Sequence, residues 1–300
     1  MTALRRTAFT LLELLVVLAI IGLLAGLLLS AVQKVRSAGT RVDCQNRLRQ
    51  AALGMQNYAS VRGTLPPGHC SVTNPLRRPF TGWPLALLPH LEQSPLFESA
   101  GTNFVTDPFA FHVPPHTGLA TVVKAYLCPS DDRVRQPQAD PFTGNLVAFT
   151  SYLGVSGANG ADGAGVLFQD SKVPLSAISD GTSNTLLLGE RPPSRDFRFG
   201  WWYAGAGQDM KGTLDMVLGV REVSLLSIPP GSPCTRNPYH FVPATGFDDP
   251  CGKYHYWSPH SGGANFAFCD GSVRFTRYEA DALLPALATR GGGEVVPPPD

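Results

Sequence analysis

The hydrophobic pattern of the chain changes character twice. In RRTAFTLLELLVVLAIIGLLAGLLLSAVQ it is continuous: residues 14–32 make nineteen positions without a charge. That is about the length of helix needed to cross a hydrocarbon core. In AVQKVRSAGTRVDCQNRLRQAALGMQNYAS the helical spacing persists but the apolar positions thin to stripes. Val32, Val35 and Val42 lie on one face; Cys44, Leu48, Ala52, Met55 and Ala59 repeat at helical intervals on another. The change of face near Gly39 predicts a bend, and TLPPG at 64–68 ends the helix. Beyond it, Pro and Gly punctuate short apolar and aromatic runs, the pattern of a strand-and-loop domain.

Within that domain GWPLALLPHLEQSPLFES reads as a strand or short helix around Pro89. LATVVKAYLCPSDD reads as a helix or extended segment ending at a Cys-Pro turn. SYLGVSG, GVLFQD and NTLLLGE read as strands, the last entered through a turn at Asp180-Gly181. ANFAFCDGSVRFTR places Phe266 and Phe268 on one face, then Asp270-Gly271, then Val273 and Phe275; alternating runs around Asp-Gly predict a hairpin. The tail GGGEVVPPPD, residues 291–300, is expected to be disordered.

Charge adds an asymmetry. The formal net charge is +1, yet residues 1–62 hold eight Lys/Arg against two acids. Basic residues beside an apolar run fit lipid headgroups or a helical assembly better than a nucleic-acid groove. No A-x-A site follows the run, which disfavours a secretory signal, and Arg5-Arg6 alone is thin support for a twin-arginine signal. Glu13 is the odd residue, a carboxylate near the start of the apolar stretch. Ionised at depth in a bilayer it would cost roughly 2.5 kcal/mol or more, so it calls for a cation. Cleavage between Ala8 and Phe9 would create one, a new α-amino group.

On these residues the N-terminus resembles that of type IV prepilins: a short basic leader followed by FTLLELLVVLAIIGLL. The resemblance implies that a prepilin peptidase cuts between Ala8 and Phe9, that Phe9 is N-methylated, and that Glu13 pairs with the amine of a neighbouring subunit during assembly. Ala8 stands where the family prefers Gly. The positive-inside count favours the opposite orientation, since Lys34, Arg36 and Arg41 outnumber Arg5 and Arg6; the prepilin pattern keeps the leader cytoplasmic. Gly22 and Gly26 form a G-x-x-x-G pair suited to close helix approach.

A second resemblance spans nearly the whole chain. CQNRLRQAALGMQNYAS, GWPLALLPHLEQSPLFE, YLCPSD, DGTSNTLLLGE and SPHSGGANFAFCDGSVRF together are similar to the bacterial prepilin-type family known as domain of unknown function 1559. His260 and Asp270-Gly271 match its C-terminal signature of His, nine residues, Asp-Gly. The family implies an α+β, pilin-like fold, with a long N-terminal hydrophobic helix packed on a mostly antiparallel β-sheet domain with long loops. The expected organisation is a leader at 1–8, a helix at 9–62 (membrane-spanning about 11–32, then amphipathic), an exported domain at 63–290 and the tail.

Six cysteines allow fifteen pairings, and none lies in a C-x-x-C motif. The preferred bridges are Cys44–Cys128, tying helix to domain, and Cys234–Cys251, closing a local loop; Cys70 and Cys269 remain as buried thiols. His260, Asp270 and Gly271 are expected to be structural, with His260 bonding backbone across the hairpin and Gly271 supplying positive φ. No metal and no cofactor is expected. Of the acidic loops, Asp131-Asp132, Asp162 and Asp248-Asp249, none has an EF-hand pattern, so calcium is the weaker alternative. Trp201, Trp202 and Tyr203 suit a core, with an exposed sugar- or partner-binding patch as the alternative. Walker A, H-E-x-x-H and G-x-S-x-G motifs are missing, and catalysis is not expected.

The expected protein is a prepilin-like subunit, a pseudopilin or minor pilin of a type II secretion or type IV pilus-like system. It would be single-pass in the inner membrane with its C-terminal domain periplasmic or extracellular. Expected partners are the prepilin peptidase, other pilin-like subunits through the helix, and inner-membrane lipid, with no nucleic acid. The alternative is a stand-alone anchored protein that binds an extracytoplasmic ligand or glycan. An envelope hydrolase would need a metal at His260.

Overall fold

A computed structural model describes residues 11–141, 143–159 and 163–294. The chain divides into two units, residues up to 42 and residues from 43 onward. One helix, α1 (Leu11–Arg62), supplies the first unit and enters the second. It runs through Gly39 without interruption; a single Gly costs only about 1 kcal/mol relative to Ala inside a helix. It stops where predicted. Gly63, at φ +80°, donates its N–H to the Ala59 carbonyl at 2.8 Å, a left-handed cap that Gly adopts without a Cβ penalty.

Over residues 14–32 the helix is apolar on every side and its side chains are exposed. From Cys44 it is amphipathic. Cys44, Leu48, Ala51, Ala52, Gly54, Met55 and Ala59 are buried, the predicted stripe widened by two small residues.

After α1 come α2 (Trp83–Leu87), a 3-10 turn at Leu88–Leu91 and α3 (Ser94–Thr106), so GWPLALLPHLEQSPLFES is helical. Pro84 and Pro95 fall in the first turns of α2 and α3, where a missing N–H costs nothing. LATVVKAYLCPSDD makes two 3-10 turns, at Thr117–Ala120 and Lys124–Tyr126. The strands are β1 (Gln138–Ala139) and β2 (Leu146–Val147), which form a small ribbon, then β3 (Tyr152–Gly157), β4 (Leu186–Glu190), β5 (Val217–Gly219), β6 (Gly263–Phe268) and β7 (Val273–Arg277). A short helix, α4 (Leu284–Leu287), follows.

The main sheet has the order β5-β3-β4-β6-β7 and is antiparallel except for the β3–β5 edge pair. GVLFQD is not a strand of it. Its backbone is divided between two neighbours: Gly165 N–H bonds Ser156 at 2.9 Å, while the Phe168 carbonyl accepts from Gly68 at 3.0 Å. No single ladder can form.

Strands β3, β4 and β6 are buried on both faces. On one face Tyr152, Leu188 and Ala267 join the core that α1 builds with Leu48 and Met55. On the other, Leu153, Val155, Phe266 and Phe268 pack with Phe241, Tyr256, Leu284 and Leu287. Two-sided burial explains why these strands read as apolar runs instead of clean alternation.

Gly189 shows how tightly the second face is filled. A Cβ there would lie 2.5 Å from a Phe266 ring carbon and 2.7 Å from one of Tyr256. Gly189→Ala should therefore destabilise the detergent-solubilised protein by about 1–3 kcal/mol in denaturant unfolding. Gly39→Ala, with nothing within 4 Å, should raise helix stability by up to ~1 kcal/mol.

Candidate functional site

Two regions collect the residues singled out by sequence. The first is the N-terminal segment. Ala8 and Phe9 lie outside the described residues; Glu13 is in the first turn of α1. There a carboxylate also meets the positive end of the helix dipole.

The second is the seam between α1 and the sheet. His260 and Asp270 do not form one site. They bracket β6, and six extended residues cover about 20 Å. At the far end the β6–β7 connection is a four-residue loop, Cys269-Asp270-Gly271-Ser272. Gly271 N–H bonds the Phe268 carbonyl at 2.9 Å and Gly271 sits at φ +84°. Asp270 Oδ1 accepts from the Ser272 N–H at 2.8 Å, the usual role of Asp in a turn. The loop lies under α1, where Gln56 Nε2 donates to the Cys269 carbonyl.

At the near end, the His260 ring turns away from the hairpin. Its Nε2 is 3.7 Å from Cys128 Sγ and 3.5 Å from Glu190 Oε1. The backbone N–H of His260 donates to Ser258 Oγ at 3.1 Å, and that hydroxyl donates to the Gly263 carbonyl at 2.7 Å. The loop is thereby folded before β6 begins. The expected bond across the hairpin is replaced by this inward orientation.

Cys128 is bridged to Cys44 on α1, and Cys234 to Cys251; Cys70 and Cys269 are buried thiols. Burial raises the Cys70 thiol to about 11 and drives that of Cys269 further up, so both stay protonated at neutral pH. Twelve helical residues from Cys44 to Gln56 rise about 18 Å, close to the length of β6. The motif therefore fastens one strand to one helix at two points: through His260 and the bridge at one end, through the Asp-Gly turn at the other.

Glu190, which sequence reading did not single out, is the core of the near point. It ends β4 and is 1% exposed. Asn265 on β6 donates to it twice, from its backbone N–H at 2.7 Å and from Nδ2 at 2.9 Å. Tyr152 lies opposite Glu190 in the sheet register and sends its hydroxyl to the Cys44 carbonyl at 3.1 Å. Burial first, then the Glu190 charge, pushes the Tyr152 phenol well above its ordinary range, so it stays a donor. The available signal for Glu190 was an acid closing the apolar run LLLG, at a parity that puts it on the helix face.

The other candidates have structural partners. Asp131 pairs with Arg133 through two contacts, at 2.7 and 2.9 Å. Asp132 pairs with Arg135. Asp249 accepts from the backbone N–H groups of Thr245 and Cys251. Asp162 lies outside the described residues. Trp202 and Tyr203 are fully buried, and Trp201 nearly so.

A helix apolar enough to cross a membrane, leading into a helix-on-sheet domain, is the architecture of a prepilin-like, single-pass membrane-anchored protein. Residues 4–29 match the prokaryotic N-terminal methylation motif. Residues 33–283 match the family described as protein of unknown function (DUF1559), and the chain belongs to that family. No curated protein and no solved structure matches it.

The two bridges should differ in weight. Cys44–Cys128 spans 84 residues and Cys234–Cys251 spans 17. By loop entropy they are worth about 4.5 and about 3 kcal/mol. The Cys44→Ser/Cys128→Ser double variant should lose more unfolding free energy than Cys234→Ser/Cys251→Ser; equal losses would assign the first bridge no anchoring role.

Proposed function

We propose that this protein is a pseudopilin or minor-pilin-type subunit of a type II secretion or type IV pilus-like system, without catalytic activity. One observation carries the reading. Through residues 11–32, α1 exposes large apolar side chains on every side, Leu27 at 61% among them, while the same helix beyond Cys44 buries one face in a folded domain. Surface of that extent needs lipid or other helices around it. Twenty-two residues rise about 33 Å, enough for a hydrocarbon core of about 30 Å.

In this proposal a prepilin peptidase cuts between Ala8 and Phe9 and Phe9 is N-methylated. The segment then waits in the inner membrane, solvated by its lipid, with the domain on the periplasmic or extracellular side. The two disulfides support that placement, since bridges form and persist outside the reducing cytosol. On assembly Glu13 meets the α-amine of the next subunit, neutralising both charges in a medium of low dielectric and setting the axial register. Gly22 and Gly26, with no atom within 4 Å of their Cβ positions, leave room for a neighbouring helix.

A second reading, an anchored ligand- or glycan-binding protein, draws on a cavity of ≈ 300 Å³ lined by Phe109, Phe111, Phe199 and Trp201. Glu13→Ala separates the two. The assembly reading expects the variant to fold and stay membrane-bound but to lose crosslinking or co-purification with other pilin-like subunits by roughly tenfold or more, given the energy of an ion pair at low dielectric. Unchanged association would leave the anchored binder.

A further inference from the structure

Cys44, Cys128, Glu190 and His260 place one ligand atom each within 4.8 Å of one another, and all four residues are buried. A disulfide needs neither an imidazole nor a carboxylate beside it. Here His260 Nε2 points between the two, 3.7 Å from Cys128 Sγ and 3.5 Å from Glu190 Oε1. The first is an N···S contact, and the second is longer than an ordinary N–H···O bond of about 2.7–3.2 Å. They match the spacing between ligands around tetrahedral zinc. Metal–sulfur bonds of about 2.3 Å and metal–nitrogen bonds of about 2.0–2.1 Å set neighbouring donors roughly 3.3–3.8 Å apart.

We propose that when the Cys44–Cys128 bridge is reduced, its two thiolates, His260 Nε2 and the Glu190 carboxylate bind one zinc ion, so that helix and domain stay joined in either redox state.

The outer shell for such a site is already in place. Asn265 fixes the Glu190 carboxylate with two donors, and its amide is held donor-first although its Oδ1 finds no partner among the described residues. Ser258 fixes the His260 backbone. Arg47 on α1 donates to the carbonyls of Lys124 and Leu127, placing a cation beside a site that would carry one net negative charge. Partners of this kind orient ligands at zinc centres. Reduction frees the two sulfurs to move apart, and all four donor atoms already lie within 4.8 Å of one another.

The chemistry balances. A dithiol reductant gives two electrons and two protons to the disulfide and is itself oxidised to a disulfide; the two Cys thiols formed then release two protons on binding Zn²⁺. In the reverse direction a disulfide oxidant takes two electrons from the thiolates and two protons from water, leaves as two thiols, and Zn²⁺ departs as the bridge closes. A chain made with reduced cysteines would thus have its helix fastened before oxidation. This inference is independent of filament assembly, so failure of either leaves the other standing.

The test uses the full chain in detergent, oxidised or reduced with a phosphine, titrated with Zn²⁺ against a chromophoric chelator and separately with Co²⁺. The Cys234→Ser/Cys251→Ser background removes the other reducible pair. The reduced protein is expected to bind one zinc equivalent and to give a tetrahedral cobalt spectrum with thiolate charge-transfer bands; the oxidised protein is expected to give neither. His260→Ala and Glu190→Gln, with folding checked by circular dichroism, should each weaken zinc binding at least ~10-fold. The proposal is overturned if reduced wild type takes up no zinc, if uptake is the same after oxidation, or if Cys44→Ser/Cys128→Ser retains it, which would place the metal on Cys70 or Cys269.

Discussion

One helix in this protein has to satisfy two surroundings, and the seam along its second half is what makes that feasible. Up to residue 42 its large apolar side chains are exposed among the described residues. From Cys44 to Ala59 they are core. The transition is enforced at the level of single residues: a disulfide and a carbonyl–phenol bond at Cys44, guanidinium bonds from Arg47, small residues at Ala51, Ala52 and Gly54 that let the helix lie close, and an amide bond from Gln56. Long-range attachments of this kind cost little loop entropy once the intervening domain is folded. They remove the freedom a helix end otherwise has to fray.

The C-terminal signature makes sense in the same frame. Nine residues between His260 and Asp270 are a folded loop, one full strand and the start of a turn. The spacing is thus a strand length matched to a helix length, and the two marked residues do different work at its two ends. His260 faces a buried carboxylate and a sulfur; Asp270 and Gly271 close a turn beneath Gln56. Read as a catalytic pair the motif is misleading, because residues about 20 Å apart cannot share a substrate atom.

Local physics made much of this legible beforehand. The apolar run, the stripe through Cys44, Leu48 and Met55, the Asp-Gly hairpin and strands β3 and β4 follow from periodicity and turn chemistry, which act over a few residues. The fold escaped prediction where the decisive partner is distant. Trp83–Leu87 and Ser94–Thr106 form two helices with Pro in their first turns, where sequence alone left a strand or a short helix open. Val217–Gly219 is a strand only because β3 offers it a parallel edge, and GVLFQD fails to be one because two neighbours divide its backbone. At the site, the two bridges are the pairs preferred among the fifteen that sequence left open. Glu190 was not legible, because its importance comes from His260 and Asn265, which lie seventy or more residues away in the chain.

The claim on which the functional account rests is that the exposed half of α1 is a processed assembly segment and not merely an anchor. Mass spectrometry of the mature protein from its native envelope tests it most directly. The account predicts an N-terminus at Phe9 bearing one added methyl group; an intact Met1, or a terminus after residue 30 with the apolar segment gone, would contradict it.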